Sequence, residues 1–273
     1  MNQWRTLTIA GLGLIGGSFA LALREAGFQG RIIGVSSLRS TQAALERGII
    51  NQGLPLEEAA VQSDAIYLAQ PIEQILETLD RIDPFVRPGT LITDAGSTKR
   101  TITDRAARSI KRGRFIGGHP MAGKETRGVE AAEAGLFRGR PYVLTSSDPE
   151  LEGWILKTGA RLVHLDPAGH DQLVALVSHL PQLLSTALAV SLESKTGFER
   201  VAGPAALDLT RLALSPYEIW RDIFATNALE IDAALGGFIS KLQEIREKLT
   251  DPAMEEEFAR AAEAARRLRQ DRT

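Results

Sequence analysis

The sequence predicts an α/β domain of alternating strands and helices over residues 1–166, followed by an all-helical domain over residues 167–273. Short β-branched runs alternate with amphipathic stretches up to about Asp166, and from Pro167 onward the strand signal disappears. A third observation sets the type of the first domain. Gly11, Gly13 and Gly16 form G-x-G-x-x-G directly after one such run and at the start of an apolar-periodic helix.

Taken in order, the strands are TLTIAG, RIIGV, AIYLAQ, GTLITDAG, RFIGG, PYVLT and ARLVHL, with helix-like segments between most of them. Strands of this length alternating with helical periods imply parallel βαβ units, and with the glycine spacing they describe a Rossmann-type dinucleotide-binding domain. Beyond Pro167, the segments HDQLVALVSHLPQLLSTALAVSLESK, PAALDLTRLAL, PYEIWRDIFATNALEIDAALGGFISKLQEIREKLT and DPAMEEEFARAAEAARRLRQ repeat apolar residues at three- and four-residue spacing. Asp251 and Pro252 form an N-cap and first-turn pair for the last helix.

A chain of 273 residues with 44% apolar content can bury two cores. Its 32 basic and 34 acidic residues give no global bias toward nucleic acid or an anionic membrane, so neither is expected as a partner. The absence of cysteine excludes disulfides, thiolate metal sites and a cysteine nucleophile, and no metal site is expected. It fits a reducing compartment. No uninterrupted apolar run approaches about 20 residues, and a cytoplasmic protein is expected.

The glycine spacing lets the backbone turn tightly, approach a pyrophosphate without an intervening Cβ, and present helix N-terminal N–H groups to it. Leu14 and Ile15 complete that loop, and Gln70, ending AIYLAQ, is assigned to the same cofactor side. The bland alternative is a tightly packed βα turn that binds nothing. Coenzyme choice rests on an absence: where an NAD-selective domain carries an acid, about 20 residues past the glycines, this chain has Ser36. Ser36, Ser37 and Arg39 offer donors to a 2′-phosphate, which favours NADP and leaves NAD possible. Alternatively Ser40 or a neighbour caps the next helix and Arg39 is merely solvated.

His119, in RFIGGHPMAGKE, follows the strand Phe115–Gly117 at a strand-to-loop boundary. Histidines there are often structural. This one lies at the sheet edge expected to face the nicotinamide, and imidazole can take a proton from a hydroxyl as hydride leaves the same carbon.

GLGLIGGS, DAGSTK, GGHPMAG, SHLPQ, DLTR and SPYEIWRDIFATN occur in the order seen in the TyrA proteins, the prephenate and arogenate dehydrogenases. The chain resembles that family from about residue 7 to 250. The resemblance implies oxidative decarboxylation of prephenate, or alternatively arogenate, in tyrosine biosynthesis, with NAD or NADP as hydride acceptor. It also implies a homodimer through the helical domain. Another two-domain β-hydroxyacid-type dehydrogenase is the less favoured reading.

By match to the family motifs, His119 accepts the hydroxyl proton and Ser97 bridges hydroxyl, histidine and nicotinamide. Ser97 also reads as an N-cap of a helix starting near Thr98. Arg211 is implied to bind the substrate's anionic end, with Asp208 pinning its guanidinium; the plain reading is a solvated i, i+3 pair. His179 is implied at the substrate site, or else caps a kink introduced by Pro181. Glu125 and Glu218 are the acids nearest the substrate end, and Trp220 is helical core or pocket wall. Gln182 stands where many members have a second histidine, Lys124 replaces a small polar residue, and GPAA at 203–206 replaces a glycine-glycine-aromatic stretch. These departures touch the substrate side.

Overall fold

The computed structural model describes residues 4–124 and 126–270. The elements are β1 (Thr6–Ala10), α1 (Leu14–Glu25), β2 (Arg31–Val35), α2 (Leu38–Glu46), β3 (Gln52–Gly53), α3 (Leu56–Gln62), β4 (Ala65–Leu68), α4 (Ile72–Ile82), β5 (Leu91–Asp94), α5 (Arg100–Ser109), β6 (Arg114–Ile116), β7 (Gly118–Pro120), β8 (Pro141–Leu144), α6 (Pro149–Lys157) and β9 (Arg161–His164). After them come α7 (Pro167–Val174), a π-turn at Ala175–His179, α8 (Leu180–Glu193), α9 (Pro204–Thr210), α10 (Tyr217–Glu247) and α11 (Met254–Gln270).

The first six strands form one parallel sheet in the order β3-β2-β1-β4-β5-β6, the arrangement of a dinucleotide-binding fold. Helices cover both faces, so β1, β4 and β5 are buried at every residue and read as near-continuous apolar runs. One core lies under α1, where Phe19 stacks on Tyr67 at 4.2 Å. The other lies under α4 and α5 and takes in Ala175, Ile223 and Ile231 of the helical part, so the two units share a core.

PYVLT and ARLVHL form strands as expected but leave the parallel sheet. They build a second sheet, β7-β8-β9, in which β7 and β8 are antiparallel and β8 and β9 parallel. His119 is therefore the central residue of a strand and not a strand-to-loop residue. The chain changes sheets at Gly117, whose N–H donates to Thr145 Oγ1 (3.0 Å) and whose carbonyl accepts from the Thr145 N–H (2.9 Å).

Local chemistry fixes a few of the helix starts. Asp166 accepts from the N–H groups of Ala168 (3.1 Å) and Gly169 (3.0 Å) ahead of the N1 proline of α7. Asp251 accepts from Ala253 N–H (2.8 Å), though α11 proper begins only at Met254. The kink expected at Pro181 is instead a π-turn in an unbroken helical run. Proline lacks an N–H and its ring crowds the carbonyl of residue i−4, which is Val177 inside that turn. The run Pro167–Glu193 has the length and apolar composition of a membrane-crossing helix. It nevertheless carries His170, Asp171, His179 and Gln182 buried against its neighbours.

The helical part is fastened to the sheet domain through two helix N-termini. The α5 cap residue is Lys99, without a side-chain cap of its own. Asp171 of α7 supplies one, accepting from Lys99 N–H (2.6 Å) and Arg100 N–H (2.9 Å). Asp222 of α10 likewise accepts from Glu73 N–H (3.2 Å) in the first turn of α4. Each carboxylate satisfies orphan donors and faces the positive end of a helix dipole. Thr98 and Thr226 hydroxyls meet at 2.8 Å between them.

Asp222→Ala should lower stability by about 1–2 kcal/mol, the usual cost of a lost N-cap. Urea unfolding at fixed protein concentration checks this; an unchanged midpoint would mean that this interdomain cap contributes nothing.

Candidate active site

The glycine loop has the geometry its spacing requires. Gly11 sits at φ +97°, and a Cβ there would meet the Ala69 carbonyl oxygen at 2.5 Å. A Cβ on Gly16 would lie 2.0 Å from the Gly11 carbonyl oxygen, so only glycine lets helix and strand pack this closely. A Cβ on Gly13 would meet nothing within 4 Å. Gly13 is also the N-cap of α1 and offers no side chain to its N–H groups. Open space over bare helical donors is what a pyrophosphate needs, so these residues fit a dinucleotide. Leu14 and Ile15 open α1, half-buried, and Gln70 lies beside Gly11, its amide oxygen accepting from Thr78 Oγ1 at 3.0 Å.

On the carboxyl side of the sheet, Asp94 ends β5 and organises the approach to His119. One of its oxygens accepts from Gly118 N–H (3.0 Å), and the other from Gly96 N–H (2.8 Å) and the Lys99 ammonium. Lys99 and Asp94 side chains are wholly buried. Burial pushes the Lys99 pKa down, while the Asp94 carboxylate opposes that shift.

His119 is 8% exposed. Its Nδ1 stands 2.8 Å from Nε2 of His170, whose Nδ1 stands 2.7 Å from Oδ1 of Asp171. Burial holds the His119 pKa well below the usual histidine value, and the neighbouring His170, Lys99 and His179 act in the same direction. The environment thus favours the uncharged ring. His179 is reached through Asn227, whose amide nitrogen lies 3.3 Å from His179 Nδ1 and donates to the Asp171 carbonyl at 2.9 Å. Asn227 interrupts α10 with φ −135° and ψ 24°. Burial lowers the His179 pKa to about 4. Trp220 closes this side edge-on to His179, with ring centroids 5.9 Å apart and its indole N–H on Ser215 Oγ (2.9 Å).

Several sequence expectations need correction. Ser97 is half-buried in the turn after β5 and is not an N-cap: α5 starts at Arg100 and is capped from outside by Asp171. Ser37 does cap α2, accepting from Ser40 N–H at 3.3 Å, which commits part of the group assigned to the 2′-phosphate. Ser36 is exposed, and the Arg39 side chain is 90% exposed with Glu130 4.0 Å away. Asp208 makes no ion pair among the described residues. Helix α9 ends at Thr210 and Arg211 opens a 3₁₀ turn, so the i, i+3 face on which Asp208 would pin it is lost. That turn is tied to α8 by Ser185, whose hydroxyl accepts from Ala213 N–H at 2.9 Å. Gln182, buried, donates to Thr186 Oγ1 at 3.3 Å. Glu125 lies outside the described residues.

The site also contains groups that sequence reasoning missed: Asp94, Lys99, His170 and Asp171. The one local signal was the pair His170-Asp171, two titratable residues at the head of an otherwise apolar helical run.

Comparison with known proteins bears on this geometry directly. Residues 19–160 match the family model of the prephenate dehydrogenase nucleotide-binding domain, and residues 166–263 that of the prephenate dehydrogenase dimerization domain. The chain is 36% identical over 253 residues to prephenate dehydrogenase of Lactococcus lactis subsp. cremoris, covering 90% of this chain and 72% of that one. Among solved structures, the A. aeolicus prephenate dehydrogenase in complex with hydroxyphenyl propionate and NAD+ superposes with TM-score 0.87 at 30% identity, covering 96% of this chain and 97% of that chain. The Synechocystis arogenate dehydrogenase superposes with TM-score 0.82 at 29% identity, covering 98% and 100%. Matched along both of its parts and by a relative above 30% identity, the chain belongs to the prephenate dehydrogenase family.

Proposed function

We propose that this chain converts prephenate to 4-hydroxyphenylpyruvate by oxidative decarboxylation with NAD(P), in tyrosine biosynthesis. The observation that carries this reading is a buried histidine, His119, its pKa lowered by burial, anchored through Asp94 and Gly118 to the carboxyl end of the sheet that bears the glycine loop. Bound NAD(P) supplies the hydride acceptor. The chain's own task is to hold the ring, exclude water and take one proton. His119 Nε2 accepts the proton of the ring hydroxyl as hydride leaves the same carbon, and carbon dioxide departs from the opposite ring carbon. Aromatisation supplies much of the driving force.

Ser97, free of any capping duty, orients the hydroxyl. Arg211 takes the anionic end of the substrate, which a guanidinium recognises bidentately. His179 and Trp220 form the wall beside it. Arogenate is the second reading, favoured by the likeness to the Synechocystis enzyme; its α-ammonium would call for an acid such as Glu218 or Glu125.

Reduction of NAD(P) followed spectroscopically with each substrate tests the reading, and no turnover of either would sink it. His119→Asn should lower kcat by roughly 10²- to 10⁴-fold with coenzyme affinity unchanged. Because burial depresses the His119 pKa, the base form persists on acidification, so the acid limb of kcat/KM should fall well below pH 6.5. An acid limb at or above that value would contradict the environment assigned to His119.

NADP is the coenzyme we favour, because β2 ends without an acid and Ser36 and Arg39 stand exposed beyond it. Arg39→Ala should weaken NADP by roughly 1.5–3 kcal/mol, the worth of a charge-assisted hydrogen bond, and leave NAD nearly untouched. Equal effects on both coenzymes would remove the 2′-phosphate contact from the reading.

A homodimer through the helical part belongs to the same proposal. Leu173, Leu176, Val177 and Val190 on the run from Pro167 to Glu193, and Leu229 and Leu242 on α10, are exposed apolar residues in the family's dimerization domain. Apolar surface on this scale marks an interface. Light scattering at micromolar concentration should report twice the chain mass; a monomer would overturn this.

A further inference from the structure

We infer that His170 and Asp171 act as a positioning relay that fixes His119 in the one neutral tautomer able to work as a base. Asp171 Oδ1 accepts from Lys99 N–H and Oδ2 from Arg100 N–H, so its carboxylate is held as an acceptor at the head of α5. The ring nitrogen facing it at 2.7 Å, His170 Nδ1, must then carry the hydrogen. We take His170 as the neutral ring; with its hydrogen on Nδ1 it has a bare Nε2, which can only accept. The atom 2.8 Å from that Nε2 is His119 Nδ1, which must therefore donate. The remaining nitrogen of His119, Nε2, is left with its lone pair open.

The His170 ring and the Asp171 carboxylate are shut away from water: His170 is 0% exposed and Asp171 1%. Solvent cannot supply an alternative partner, and the other tautomer of either ring would set two lone pairs or two N–H groups against each other. When His119 Nε2 takes the hydroxyl proton of the proposed reaction, its Nδ1–H stays on His170. The new positive charge faces His170 and, behind it, the Asp171 carboxylate. His170 touches neither substrate nor coenzyme in this scheme; it acts through His119 alone.

The tautomers can be read without turnover. The chain has four histidines, so long-range ¹H–¹⁵N correlation on the full-length protein labelled with ¹⁵N-histidine resolves each ring. Hydrogen on Nδ1 of both His119 and His170 is expected, and hydrogen on Nε2 of His119 in the resting protein would overturn the relay. The kinetic arm rests on the proposed function. His170→Leu, which removes the acceptor, should lower kcat roughly 10²-fold, with substrate KM and coenzyme Kd unchanged. His170→Gln, which keeps an oxygen acceptor for His119, should recover most of that loss. Equal losses in the two variants would reduce His170 to packing and refute the relay. If His170→Leu fails to fold, the wild-type spectrum still decides. Absence of turnover with either substrate would refute the proposed function while leaving the tautomer measurement intact.

Discussion

A single buried carboxylate, that of Asp171, links the architecture to the chemistry. Its two oxygens close the N-terminus of α5, which belongs to the sheet domain, although Asp171 itself belongs to the helical part. The same group orients His170 against His119. The contact that docks the two halves is therefore also the contact that holds the His119 ring. An error of position between the halves is an error in the placement of that ring.

Around that carboxylate, burial and neighbouring charge lower the pKa values of His119 and His179. Burial is the largest influence on His119 and His179, and Lys99 adds a positive neighbour to His119. Lys99 is tolerated in the interior because Asp94 accompanies it. Removing one partner of such a pair leaves an uncompensated charge, far costlier than the pair is worth in stability. The pair is better understood as fixing the turn from Asp94 to Lys99, which carries Ser97 and the backbone donors that Asp171 caps.

Much of this was legible in the sequence because it is local. The glycine loop and the strands of the parallel sheet each depend on residues within one turn or strand of each other. The place of His119 just beyond β6 was likewise legible. The second sheet was not, because nothing in PYVLT or ARLVHL states which strand will pair with it. Nor were the roles of Asp171 and Asp222, since a cap supplied from 72 or 149 residues away leaves no spacing to read. Asp208 was misjudged for the converse reason: its three-residue spacing from Arg211 looked helical, and the helix ended between them.

The capping of α4 and α5 by Asp222 and Asp171 has a consequence for how such a protein can be recombined. The covalent link between its halves is short, running from the end of β9 at His164 to the start of α7 at Pro167. Judged by chain connectivity, that is where one half could be exchanged for a relative's. Judged by hydrogen bonding, the seam lies elsewhere, across the first turns of two helices in one half and two acids in the other. A chimera cut at the linker keeps the docking between its parts only if the incoming helical half brings acids at both positions. Swapping one half thus exchanges part of the other half's secondary structure with it.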